Sequence, residues 1–76
     1  MKPNSYHQVS HFRNGYSASI VSSPNSYGGP QGLFEIAVLH NEAIVYDTPI
    51  THDVLGFLTF AQVAETLEKI AALPPR

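Results

Sequence analysis

The chain has no cysteine. That excludes disulfides and thiolate metal sites and fits a reducing cytoplasm. Basic residues are scarce: Lys2, Arg13, Lys69 and Arg76 are all there are. Four scattered cations neutralise little phosphate, so direct nucleic-acid binding is not expected. No apolar stretch approaches the roughly 20 residues of a membrane span. Met1-Lys2-Pro3-Asn4-Ser5 leads into no signal-type apolar region, so a soluble, unanchored protein is expected. The seven serines include no Gly-x-Ser-x-Gly elbow, which leaves a serine triad unsupported. The Gly-rich loop before Leu33 is followed by no Gly-Lys-Ser/Thr, so it does not read as a phosphate cradle.

What is present is a single domain of 76 residues, spanning 1–76. A chain this short buries only about 60% of its unfolded surface. It has room for one small core and little room for a buried catalytic pocket. Its formal charge is −2, unevenly spread. Residues 1–34 hold Lys2 and Arg13 and no acid. Residues 35–68 hold Glu35, Glu42, Asp47, Asp53, Glu65 and Glu68 and no Lys or Arg. Such asymmetry suits an acidic surface that meets a basic partner, or two ordinary solvated surfaces.

The longest apolar run, Leu33-Phe34-Glu35-Ile36-Ala37-Val38-Leu39-His40, follows turn formers and predicts a central β-strand. Phe34, Ile36 and Val38 share one face; Leu33, Glu35, Ala37 and Leu39 share the other. Before it, Tyr6–Phe12 and Tyr16–Ser22 flank Arg13-Asn14-Gly15, and Asn-Gly between such runs signals a two-residue hairpin. That loop pairs Arg13 with Tyr16, His11 with Ala18 and Val9 with Ile20, and puts those residues on the core side. Phe12, Ser10 and Gln8 then fall on a wet face.

Ser23 to Gly32 has no periodicity and reads as a loop across an end of the sheet. Tyr27 within it either plugs the core edge or anchors a partner. After the central strand, His40-Asn41-Glu42 turns into Ala43–Asp47, with two registers open. A two-residue loop pairs Val38 with Val45. A three-residue loop pairs Val38 with Ile44 and sets Glu35 opposite Asp47. The second makes the core faces more apolar and is preferred, at a cost in like-charge repulsion.

Thr51–Leu55 reads as a helical turn stopped by Gly56. The C-terminal helix is clearer. Thr59 is its N-cap, Gln62 completes a capping box, and Leu58 with Val63 makes a hydrophobic staple. Phe60, Val63, Ala64, Leu67, Ile70 and Ala71 form the apolar stripe, Glu65 and Lys69 an i, i+4 pair, and Pro74-Pro75 a stop. The expected fold is α+β: a four-stranded antiparallel sheet of two hairpins, the helix packed on one face, and one or two short helical turns. The expected core is Val9, Ala18, Ile20, Phe34, Ile36, Val38, Phe60, Val63, Leu67 and Ile70. One helix covers one sheet face, so the other stays open.

Chemistry is thin. His7 and His11 lie about 13 Å apart on a strand and cannot share one ion. His40 and His52 stand on separate turns. Glu35 and Asp47 are conceivable paired carboxylates but lack a cleft. Neither a metal site, a cofactor nor catalysis is expected; a small His/carboxylate metal protein or enzyme is the contrasting reading. The candidate partner-binding residues are Glu35, Asp47, Asp53, Glu42, Tyr27 and Leu39.

Asn14-Gly15-Tyr16, Ser26-Tyr27-Gly28-Gly29-Pro30, Gly32-Leu33-Phe34-Glu35 and Tyr46-Asp47-Thr48-Pro49-Ile50-Thr51 together resemble small proteins encoded by phages and prophages. That group includes the anti-CRISPR proteins. The resemblance implies a non-enzymatic inhibitor, a monomer or weak dimer, acting in the bacterial host's cytoplasm. Its implied partner is a type I CRISPR surveillance complex, whose DNA-binding surface an acidic face would block. Tyr6–Ile20 is also similar to the start of HicB-like antitoxins, which implies masking of a basic toxin. The long Ser-Pro-Gly loop and the extra hairpin depart from that pattern, and no DNA-binding tail follows the helix.

Overall fold

The computed structural model describes residues 5–75, so Lys2, Arg76 and the Met1–Asn4 start lie outside the described residues. The fold is α+β, one antiparallel sheet with a C-terminal helix on one face. The strands are β1 (Tyr6–His11), β2 (Tyr16–Ser22), β3 (Phe34–His40), β4 (Ala43–Ile44) and β5 (Leu55–Leu58). They run in the order β1-β2-β3, and β4 and β5 share the far edge of β3. The helix, α1, spans Phe60–Ala71. A 3-10 turn, Gly29–Gln31, closes the Gly-rich loop.

The helix starts as its sequence dictates. Thr59 Oγ1 accepts from the Gln62 N–H, and Gln62 Oε1 accepts from the Thr59 N–H, completing the capping box. Val63 and Ile70 are buried, and Leu67 and Leu58 pack against the same core. The sheet supplies Tyr16, Ala18, Ile20, Ile36 and Val38, all on the helix side. Two expected core residues are outside it. Val9 is 39% exposed and Phe60 75%.

Val9 is displaced by register. His11 faces Ser17, Ser10 faces Ala18 and Val9 faces Ser19. The turn is a three-residue loop closed by the Phe12 N–H on the Tyr16 carbonyl, 2.9 Å. Gly15 takes the left-handed position at φ 93, as a three-residue hairpin with a bulge requires. The expected pairing of Arg13 with Tyr16, His11 with Ala18 and Val9 with Ile20 is therefore wrong by one residue. One residue exchanges faces, so Gln8, Ser10 and Phe12 lie on the helix side and His7, Val9 and His11 on the open side.

The cause is Asn14. Its side chain is buried and reaches the end of the helix. Nδ2 donates to the carbonyls of Ile70 (2.8 Å), Leu73 (3.0 Å) and Ala71 (3.3 Å). Oδ1 accepts from the Tyr16 N–H at 3.1 Å. A helix leaves its last carbonyls without intrahelical donors. This one ends on Ala72 in a right-handed conformation, with no glycine to close a Schellman turn. Asn14 serves those carbonyls from the other end of the chain.

The second hairpin corrects the other register. Leu39 faces Ile44, His40 faces Ala43, and the Val45 N–H donates to the Val38 carbonyl at 2.9 Å. The loop is the two residues Asn41 and Glu42, both left-handed (φ 52 and 66). Their twist suits a tight hairpin. Glu35 is consequently not opposite Asp47. The neighbour of β3 at that end is β5, which pairs Leu58 with Phe34 and Leu55 with Ile36 around an irregularity. The expected helical turn at Thr51–Leu55 is absent, and a fifth strand begins at Leu55.

Candidate partner-binding face

The open face is built by alternation along three strands. β1 contributes His7, Val9 and His11; β2 contributes Ser17, Ser19 and Val21; β3 contributes Glu35, Ala37 and Leu39. Ile44 joins through its pairing with Leu39. The β1 side is polar and locally satisfied. His11 Nδ1 and Ser17 Oγ are 2.8 Å apart, and His7 Nε2 and Ser19 Oγ 3.2 Å. These are cross-strand side-chain pairs of the ordinary kind. Val9, His11, Ser17, Leu39 and Glu42 line a shallow depression beside the turns.

The opposite end carries two aromatics. Tyr27 is 61% exposed and Phe57 56%. Their backbones are tied: the Phe57 N–H donates to the Tyr27 carbonyl at 3.1 Å. The Tyr27 N–H in turn donates to Glu35 Oε1 at 2.9 Å. Two glycines allow this approach. A Cβ on Gly56 would stand 2.5 Å from the Tyr27 Cβ, and one on buried Gly28 would stand 2.8 Å from the Phe57 Cα. Phe57 itself sits at φ 56, a conformation that bulky L-residues rarely adopt.

The expected partner-binding residues are thus divided. Tyr27 and Glu35 come together, with Glu35 half-buried and engaged in holding the loop. Leu39 is half-buried at the turn end of the face, where it lines the shallow depression with Glu42. Glu42 stands in the β3–β4 turn, beyond the end of a strand about 17 Å long from Glu35 to His40. Asp47 and Asp53 are exposed in the segment between β4 and β5. Glu65 and Glu68 are exposed on the helix, in the other layer. The acids are distributed over the molecule rather than gathered on the open face. Phe57, which was not anticipated, belongs with Tyr27; the apolar run Val54-Leu55-Gly56-Phe57-Leu58 was its only signal in the sequence.

The histidines separate as well. His40 is on the helix side in an edge-type contact with the Tyr16 ring, centroids 5.9 Å apart. His52 Nδ1 lies 3.3 Å from the Tyr46 carbonyl. Among the described residues no group of three or more His, Asp or Glu is placed to hold a metal.

These elements define a class: a small sheet-and-helix protein whose second sheet face, with Ala37 buried at its centre, no helix covers among the described residues. Comparison with family models, curated proteins and solved structures returns no match to this chain.

Proposed function

We propose that this is a binding protein without chemistry of its own, of the phage-inhibitor kind. In this reading it seats on a type I CRISPR surveillance complex through the open sheet face and the aromatics Tyr27 and Phe57. The observation that carries the reading is Phe57, a bulky residue held at φ 56 yet left mostly exposed. Strain of this kind costs on the order of 1–3 kcal/mol and clusters at functional sites. Aromatic residues, Phe and Tyr among them, are enriched at the cores of protein interfaces. Glu35 supports the anchor by holding the Tyr27 backbone. Scattered acids favour anchoring over mimicry of a DNA backbone, and leave Asp47, Asp53 and Glu42 to steer approach to a basic surface.

The test is inhibition of target-DNA binding by purified type I complexes. Phe57→Gly removes the ring while accepting the left-handed backbone. Together with Tyr27→Ala it is expected to weaken inhibition by roughly tenfold or more with the fold retained. Joint replacement of Glu35, Asp47 and Asp53 by Gln or Asn is expected to act less, mainly on association at low salt. If the aromatic variant is as potent as the parent, the anchor is elsewhere. If the parent protein affects no type I complex, the surveillance-complex reading falls.

A further inference from the structure

The two long edges of the sheet are unlike. The far edge of β3 is covered by β4, of two residues, and β5, of four with an irregular register. Short, irregular edge strands are how sheets avoid unwanted pairing. β1 has none of these devices. It runs six residues in unbroken register with β2, without proline, Lys, Arg, Asp or Glu. Among the described residues no strand pairs with its outer side.

The direction of its backbone groups follows from one bond. Phe12 and Tyr16 are a hydrogen-bonded pair, and such pairs alternate along an antiparallel ladder. Ser10, Gln8 and Tyr6 therefore bond to β2, while His7, Val9 and His11 point their N–H and C=O groups outward. Beside this edge lies an apolar groove. The helix packs on β2, β3 and β5. It leaves a channel over β1 lined by Tyr6, Gln8, Ser10, Phe34, Phe60 and Leu67.

We infer that the occupant of this edge is a second copy of the chain, paired antiparallel through β1 with its groove set against the first. A two-fold axis perpendicular to the sheet keeps each face on its own side, so opposed residues have the same parity. Centred on Val9, it pairs all three outward-facing residues: His7 with His11, Val9 with Val9, and His11 with His7. Both grooves then lie side by side between the two helices and join into one apolar channel across the axis. Neither surface carries Lys, Arg, Asp or Glu, so nothing there repels a like copy and nothing selects a charged partner. The contact is isologous and closes at two, since the edges left over are the short, irregular ones. The aromatics Tyr27 and Phe57 remain outside it, so this inference stands independently of the proposed function.

The experiment uses the whole chain. Sedimentation equilibrium is expected to give twice the 8.3 kDa chain mass at high protein concentration. Val9→Lys sets two ammonium groups against each other at the axis and is expected to give a folded monomer. Because the chain has no cysteine, single thiols report the register. Hydrogen-bonded partners have Cα atoms about 5.5 Å apart, within disulfide reach. Val9→Cys is therefore expected to cross-link on mild oxidation. In His7→Cys the thiols are about 13 Å apart along the strand and are expected to stay free. A parent that is monomeric at every concentration overturns the inference. So does a dimer that survives Val9→Lys, or one in which His7→Cys cross-links and Val9→Cys does not.

Discussion

Both hairpins turn on an asparagine, and they use it in opposite ways. Asn41 places its backbone in the left-handed region and leaves its side chain exposed. Asn14 buries its side chain against the helix end and leaves the left-handed position to Gly15. The second turn is a local solution that any hairpin could adopt. The first is a tertiary contact that happens to sit in a turn. The dipeptide best suited to a two-residue loop, Asn14-Gly15, forms the longer one, because two helix carbonyls and that of Leu73 just past the helix share its amide.

The sharpest way to break this contrast is Asn14→Ala. It removes the buried amide that donates to the Ile70 carbonyl and the side-chain acceptor of the Tyr16 N–H, and a lost buried hydrogen bond costs about 1–3 kcal/mol. We expect a loss of about 2–4 kcal/mol in urea unfolding at fixed protein concentration, a large share of a domain this size. Asn14→Asp keeps the acceptor for Tyr16 but turns a carboxylate toward carbonyls, and should rescue nothing. Gly15→Ala comes next. A Cβ at φ 93 is strained, and about 1–2 kcal/mol should be lost. The smallest effect has the opposite sign. Glu42→Gly supplies the preferred Asn-Gly pair at φ 66 and should raise the unfolding free energy measured in urea by about 0.5–1 kcal/mol. If Asn14→Ala and Asn41→Ala prove equally mild, the two turns do not differ as described.

The same division between local and distant causes explains what could be read in advance. The helix was legible because Thr59 and Gln62 cap it within one turn. β3 was legible because its apolar run is bounded by turn formers. The β1 register was not, since β1 projects past the helix. With Gln8 and Ser10 on the helix side and Val9 on the open side, hydrophobic alternation points the wrong way. β5 was missed because Gly56 looked like a helix stop, whereas it is the spot where Tyr27 backs against a strand. In the candidate site, Tyr27 stood out as an aromatic on a loop. Nothing local announced that Glu35 would hold its amide from eight residues away, or that Phe57 would be left-handed.

Asn14 also bears on the order in which the molecule assembles. Its contacts with Ile70 and Leu73 span 56 and 59 residues, so they close among the longest loops in the chain. Contacts of that range form slowly. The last helical turn, including the Ala72 and Leu73 amides that bond back onto it, has no complete set of partners until the first hairpin docks. Two segments at opposite ends of the chain are thereby joined into one cooperative unit. The helix terminus frays or holds with the N-terminal hairpin, rather than with the helix to which it belongs.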